Sequence, residues 1–297
     1  MKIFNGIFNN IKKAQKGIIS IGYFDSFHIG HEKILQELIK FSAEKKLVSY
    51  VLTYESIPQK SLKGRSVLEI EDKLNFIREI GINNLILCRF EKEFYSLKPA
   101  EFLKLLKINF NINDYVVTED IHFGANRSGS IKTLKDEGCT VSIVKPEFIN
   151  NTRVSTSYIK ELLLDGNIEE ATRFTGRNFY IKGIVKKGKQ LGRQLGYPTM
   201  NITNDNIIYP KEGVYITKTI VKGHEYYSIT FLTKDIIESH LLNYNRYSYN
   251  FEIKVEFLHR IRDKKTFKNT ENLVNEINQD MKIFKKFIHD KKISLFI

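Results

Sequence analysis

Apolar and polar positions follow one rhythm up to Gly176 and another beyond it. In the first part, short apolar or β-branched runs (Ile18 to Ile21, Leu47 to Tyr54, Asn84 to Phe90, Tyr115 to Thr118, Val141 to Lys145) alternate with stretches of helical spacing. Ile34, Leu35, Leu38 and Ile39 mark one helix face, and Leu74, Ile77 and Ile80 mark the inward face of a helix from Glu69 to Ile80, which Gly81 is placed to end. Pro99 opens a helix carrying Phe102, Leu103, Leu105 and Leu106; Ser155 or Ser157 caps one carrying Ile159, Leu162 and Leu163. Strands alternating with helices predict an α/β domain with a mostly parallel sheet covered on both faces. After Gly176 the segments Phe179 to Val185, Gly213 to Ile220, Tyr226 to Phe231 and Phe251 to Leu258 are β-rich and separated by turn residues. They predict an all-β antiparallel barrel, against which a terminal helix from about Glu271 to Ile288 lays Leu273, Ile277, Met281, Phe284 and Ile288. The expected domains are residues 1–176 and 177–297.

Chemistry concentrates where strands end. Ile18 to His31 reads IISIGYFDSFHIGH: a buried strand, a turn at Gly22 with Phe24 and Asp25, then His28 and His31 entering a helix. Free N–H groups and the dipole at a helix start attract phosphate, and imidazoles add donors as negative charge builds. Helix capping alone would also account for the two histidines. The polar loop EDIHFGANRSGS, residues 119–130, follows a strand and is expected to complete the same pocket. The VSTSYIK segment brings hydroxyls and Lys160 to another helix start, where capping again competes with phosphate binding. In the second part, GIVKKGKQLGRQLGYPTMN (Gly183 to Asn201) has glycines at 188, 192 and 196 that let backbone amides approach phosphates, with Lys187, Lys189 and Arg193 adding charge. Thr199 and Asn201 place two neutral oxygens on one side of an extended segment, a donor set suited to Mg²⁺.

Charge sharpens this division. Residues 1–176 carry 25 basic and 22 acidic side chains, and residues 177–297 carry 22 and 12. The basic second part favours anionic substrates, although solvated lysines account for much of the excess. No interleaved arginine and aromatic stripe or zinc spacing points to specific nucleic-acid recognition. No apolar run is long enough for a membrane span, and two cysteines, Cys88 and Cys139, in a chain without a leader pattern lead us to expect a reducing cytoplasm. Oligomeric state has no signature in the pattern.

Taken together, these motifs resemble the bacterial bifunctional riboflavin kinase and FAD synthetase family over nearly the whole chain. GYFDSFHIGH is similar to its nucleotidyltransferase motif, EDIHFGANRSG to its flavin- and nucleotide-facing loop, and VSTSYIK to its second phosphate motif. GKQLGRQLGYPTMN is similar to its kinase signature, followed by GVY, ESHLL from Glu238 and RIRDKKTF from Arg260. The resemblance implies a Rossmann-like nucleotidyltransferase domain followed by a β-barrel riboflavin kinase domain. It implies phosphorylation of riboflavin to FMN by ATP, then adenylylation of FMN to FAD with release of pyrophosphate. For the kinase it implies Thr199 and Asn201 as Mg²⁺ ligands, Glu238 as base or orienting group, and Gly188, Lys189, Gly192 and Pro198 around the phosphates, with Arg262 in a loop closing on flavin. For the adenylyltransferase it implies His28 and His31 as catalytic groups, Gly22, Phe24 and Asp25 in the turn, and Asn126, Ser155, Thr156 and Lys160 as nucleotide contacts. The chain departs from the family pattern at YESIP (Tyr54 to Pro58), which lacks a histidine, at Tyr158 and Lys160 in place of two arginines, at Ser26 in place of glycine, and at Asn243 in place of aspartate. A kinase whose first domain has lost adenylyl transfer, and a non-catalytic flavin- or RNA-binding protein of the same fold, are the alternatives.

Overall fold

A computed structural model of the chain describes residues 1–8, 15–55, 65–188, 192, 195–234, 236–246 and 249–291. By contact it divides into Met1–Thr156 and Ser157–Ile297. In the first unit six strands form one parallel sheet: β1 (Lys2–Asn5), β2 (Gly17–Ile21), β3 (Val48–Tyr54), β4 (Asn84–Cys88), β5 (Ile112–Thr118) and β6 (Thr140–Val144). Their order is β1-β4-β3-β2-β5-β6. Helices α1 (Ile29–Lys45), α2 (Ile70–Glu79), the short α3 (Lys92–Tyr95), α4 (Pro99–Phe110) and α5 (Ile131–Asp136) connect them, and a small hairpin of β7 (Phe148–Ile149) and β8 (Thr152–Arg153) follows. All five residues of β2 are buried, as a central strand flanked on both edges and both faces requires. The chain moves from β2 to β3 and β4 on one side, then crosses to β5 and β6 on the other. The order therefore reverses between β2 and β5, and a crevice opens at their carboxyl ends. The edge strand β1 had no signature in the asparagine-broken start of the chain; its parallel pairing with β4 gives it a partner it could not find locally.

Helix α2 differs from its predicted face. Ile77 is buried, but Leu74 and Ile80 are only partly so, and Asp72 and Lys73 are buried in their place. The reason is a pair of carbonyls: Lys73 Nζ donates to Tyr23 O at 3.1 Å and Tyr54 O at 2.7 Å, and lies 4.5 Å from the centre of the Tyr23 ring. One ammonium thus ties the segment leaving β2 to the end of β3. Burial pushes its pKa down from 10.5 to about 8, the nearby Asp25 charge opposing the shift.

Helix α6 (Thr156–Asp165) buries Ile159, Leu162 and Leu163 as predicted; Ser155 stands just ahead of it, whereas Ser157 lies within it and is not its cap. Helix α7 (Ile168–Thr175) follows. The second unit then builds a six-stranded antiparallel sheet from β9 (Tyr180–Ile184), β10 (Met200–Ile202), β11 (Gly213–Val221), β12 (His224–Leu232), β13 (Ile237–Leu241) and β14 (Glu252–Asp263), in the order β10-β13-β12-β11-β14-β9. The chain just beyond β9 meets β10 through a bridge in which Lys186 N donates to Asn201 O at 2.8 Å, which nearly closes the barrel. The short strands β10 and β13 were absent from the hydrophobic pattern. Inside the barrel five fully buried hydroxyls form one chain: Thr219 to Ser228 (2.7 Å), Ser228 to Thr217 (2.7 Å), Thr217 to Thr230 (2.6 Å) and Thr230 to Ser239 (2.7 Å). Mutual hydrogen bonding offsets their desolvation and holds β11, β12 and β13 in register. Helix α8 (Thr270–Asp290) packs Phe284 and Ile288 on Ile216 of the outer face.

The buried Lys73 gives a pH signature. Below about pH 8 it is protonated in the folded and unfolded chain alike, and above 10.5 in neither. Between these limits the unfolded chain binds more protons, so stability rises with pH. Relative to Lys73→Met, the wild type should gain on the order of 3 kcal/mol across that window in denaturant titrations, whereas parallel curves would contradict the burial of a charged amine.

Candidate active sites

The first site is the turn from β2 into α1. Gly22 N donates to Leu52 O at 3.1 Å, and a side chain at 22 would run into the Phe24 ring. Phe24 and Phe27 take left-handed conformations with φ of 53° and 43°, a cost for non-glycine residues that their burial sustains. Asp25, 3% exposed, accepts the Val67 N–H at 2.9 Å and so anchors the turn to the segment before α2. Ser26 and Thr156 hydroxyls bond at 2.9 Å, which brings the start of α6 to this turn. Lys160 lies further along α6, among the residues of the second unit.

His28 is the N-cap of α1. Its Nδ1 accepts from His31 N at 3.1 Å and its carbonyl accepts from His31 N (2.8 Å) and Glu32 N (3.1 Å). An accepting Nδ1 puts the ring proton of the neutral imidazole on Nε2. The two imidazoles stack 3.6 Å apart at 9°, and the edge of Phe24 meets His31 at 5.1 Å. Capping and phosphate recognition are therefore not alternatives: the cap bond is what fixes the His28 ring.

Beside the turn lies a cavity of about 560 Å³ whose lining includes Gly22, Tyr23, Tyr54, Phe90, Tyr95, His122 and Asn126. Its aromatic wall is continuous: Tyr54 meets Phe90 edge-on at 5.9 Å, and Phe90 stacks on Tyr95 at 5.6 Å. The polar loop folds back on itself through paired bonds between Phe123 and Gly129 (3.2 and 2.9 Å), presenting Asn126 and Arg127 with positive φ. Sequence reasoning missed Tyr23, Tyr54, Phe90 and Tyr95, which come together only when the carboxyl ends of β2, β3 and β4 do.

The second site lies within the barrel unit. In the ladder between β10 and β13, Asn201 is the register partner of Glu238 and Met200 of Ser239. Strand alternation turns Asn201 and Glu238 to one face and Ser239 to the hydroxyl chain on the other. Thr199, Asn201, Glu238 and His240 all line a cavity of about 300 Å³ that Tyr197, Phe231, Arg262, Phe267 and the α8 residues Leu273, Ile277 and Met281 complete. His240 Nδ1 and the Pro198 carbonyl are 2.8 Å apart. Gly188 passes against the Asn201 amide so closely that a side chain would collide, and Gly192 accepts Tyr197 N at 2.7 Å. Lys189 and Arg193 lie outside the described residues. Arg262, expected in a loop, lies instead on β14, paired with Val214, and lines the cavity with its guanidinium held by Asp280 of α8 through bonds of 2.9 and 2.8 Å and by Glu276 at 3.1 Å. Burial raises the Asp280 pKa, against the lowering effect of Arg262.

The donor set bears on the metal expected there. The Asn201 Oδ1 atom is buried with no hydrogen-bond partner among the described residues, and Thr199 stands beside it in the same cavity. A neutral oxygen left without a donor costs free energy unless a ligand or cation meets it. No group of three His, Cys, Asp or Glu suited to a metal occurs among the described residues. Few protein oxygens, with phosphate and water making up the shell, is the arrangement Mg²⁺ accepts.

Residues 10–158 match the FAD synthetase family and residues 175–288 the riboflavin kinase family. A bifunctional riboflavin kinase/FMN adenylyltransferase of Bacillus subtilis (strain 168) is 33% identical, covering 91% of this chain and 92% of that protein. The enzymes of the same description from Buchnera aphidicola subsp. Schizaphis graminum and Escherichia coli (strain K12) are 30% and 26% identical over 97% and 94% of the chain, and over 99% and 96% of their own lengths. The fold is shared with a crystal structure described as a macrolide-efflux protein from Streptococcus pneumoniae, with a TM-score of 0.86 at 23% identity over 96% of this chain and 99% of that one. Two family matches in this order, on a parallel-sheet unit followed by a nearly closed barrel, leave one conclusion: the chain belongs to the bifunctional riboflavin kinase/FMN adenylyltransferase family and carries both of its domains.

Proposed function

We propose that the cavity on β10 and β13 is where riboflavin is phosphorylated, and that the β2–α1 turn with its aromatic cavity is where FMN is adenylylated. The adenylyltransferase domain comprises residues 1–176 and the kinase domain residues 177–297. The observation that carries the kinase assignment is the register: Asn201 faces Glu238 across two strands, with Thr199 lining the same cavity.

In the barrel, Thr199 and Asn201 would hold Mg²⁺ with ATP, and the bound ion supplies neutralisation of phosphate charge. Glu238 orients the 5′-hydroxyl of riboflavin and takes its proton as the oxygen attacks the γ-phosphorus and the bond to the bridging oxygen of ADP breaks. Alignment dominates this reaction, so a carboxylate is base enough. Gly188 and Gly192 leave room for the phosphates, and Pro198 shapes the same segment. Phe231, Phe267 and the apolar side of α8 offer the flavin ring a dry surface, and Arg262 stands at its edge.

In the parallel-sheet unit, a phosphate oxygen of FMN attacks the α-phosphorus of ATP and pyrophosphate leaves. No protein nucleophile is needed. The free N–H groups of α1, His28 Nε2–H and His31 meet the growing negative charge. Gly22 and Phe24 shape the approach, Asp25 holds the turn, Tyr54 and its aromatic neighbours stack on the isoalloxazine, and Asn126, Ser155 and Thr156 meet the nucleotide. Lys160 is a further phosphate contact on α6. A cytoplasmic location suits two free cysteines, and no helix among the described residues is long and apolar enough to cross a membrane. Neither reaction requires a nucleic-acid or membrane partner.

Chromatography of flavins formed from riboflavin, ATP and Mg²⁺ tests the assignment. Glu238→Gln should lower FMN formation by about 10²- to 10⁴-fold while conversion of supplied FMN to FAD continues. Loss of both would contradict separate sites. Conversely, His31→Ala should cut FAD formation by about 10²-fold or more with FMN production intact, and an unchanged FAD yield would remove His31 from the site.

A further inference from the structure

Of Thr199, Asn201, Glu238 and His240, which line the barrel cavity together, His240 has no part in the reaction above. Continuing the observed register by one pair sets it opposite Thr199, just beyond the three-residue β10, whose ladder begins at Met200. Thr199 is thus outside the backbone pairing, just past the end of the outer strand β10. The bond between His240 Nδ1 and the Pro198 carbonyl lies at this point. A carbonyl has no proton to give, so Nδ1 must carry one and donate it. The residue before Pro198 is also held, since the Tyr197 ring meets the His240 ring edge-on at 5.5 Å and its hydroxyl donates to Asn278 of α8 at 2.8 Å.

We propose that His240 is a positioning residue for phosphoryl transfer: its Nδ1–H replaces the missing ladder bond, holding Pro198 so that the Thr199 oxygen stays aligned with Asn201 and Glu238. This rests on the assignment of the cavity to riboflavin phosphorylation. A ring serving only as packing against Tyr197 would be replaced adequately by phenylalanine. A ring serving as a clamp would not, whereas asparagine, whose amide N–H falls near the place of Nδ1–H, would keep the bond.

The test uses the full chain with His240→Phe and His240→Asn, measuring steady-state FMN formation and, by calorimetry, binding of ADP with and without Mg²⁺. His240→Phe should lower kcat about ten- to a hundredfold, as a displacement near 1 Å does, and weaken ADP binding only when Mg²⁺ is present. The KM for riboflavin should stay within about twofold, and His240→Asn should recover kcat to within about threefold of wild type. Wild-type rates in His240→Phe, or a His240→Asn as impaired as His240→Phe, would overturn the clamp. Should His240→Phe fail to unfold cooperatively, His240→Asn decides alone: near-normal Mg²⁺-dependent ADP binding supports the clamp and its loss overturns it. Glu238→Gln run in parallel separates the two levels, because a fully active Glu238→Gln would remove the site assignment itself.

Discussion

The candidate site of the barrel depends on one short antiparallel pairing. Three residues of β10 lie against β13, and that register sets Asn201 opposite Glu238 while turning Ser239 inward to the hydroxyl chain. A slip of one residue would send Glu238 into the barrel interior and Ser239 into the cavity. The hydroxyl chain from Thr219 to Ser239 opposes such a slip from within, because Thr230 and Ser239 lose each other as partners if β13 moves. The bridge between Lys186 and Asn201 opposes it from the other edge of β10. Core polarity that would be a liability in isolation here specifies which face a carboxylate occupies.

A related device operates in the parallel-sheet unit, with charge instead of hydroxyls. The crevice at the β2–β5 reversal is bounded by segments that leave three strands, beyond the ladder of the sheet. Lys73 joins two of them through backbone carbonyls, and Asp25 joins the turn to the approach to α2. Burying an ammonium is expensive, and the lowered pKa of Lys73 records that cost. What it secures is the relation between Tyr23 and Tyr54, two walls of the aromatic cavity. In both units, then, buried polar contacts hold the groups that line the two candidate cavities.

Much of this was legible in the sequence, and the rest was hidden for physical reasons. Buried parallel strands such as Gly17–Ile21 read as unbroken apolar runs, and the apolar stripe of α8 has helical period, so the two architectures followed from pattern alone. Strands β10 and β13 did not, since three to five residues mixing Asn, Glu, Ser and His with aliphatics carry no periodic signal. The motif at Thr199 and Asn201 was visible as chemistry, but its pairing with Glu238, 37 positions away in the numbering, is a tertiary fact. Lys73 was invisible because a lysine in a helix reads as solvated until two carbonyls are brought to it. Ser26 gains its partner Thr156 only by folding. The glycine-rich turn keeps Gly188 and Gly192 against Asn201 and Tyr197, whereas Lys189 belongs to residues whose placement is not described.

The central claim is that one face of the β10–β13 pair holds the ion and the hydroxyl for phosphoryl transfer. The most direct measurement is a crystal structure of the full chain with riboflavin and ADP in Mn²⁺, the ion located by its anomalous scattering. The account predicts Mn²⁺ ligated by the Thr199 hydroxyl and Asn201 Oδ1 together with ADP oxygens, and the riboflavin 5′-hydroxyl within hydrogen-bond reach of Glu238. An ion bound through other side chains, with Asn201 turned from it or the flavin hydroxyl remote from Glu238, would contradict it.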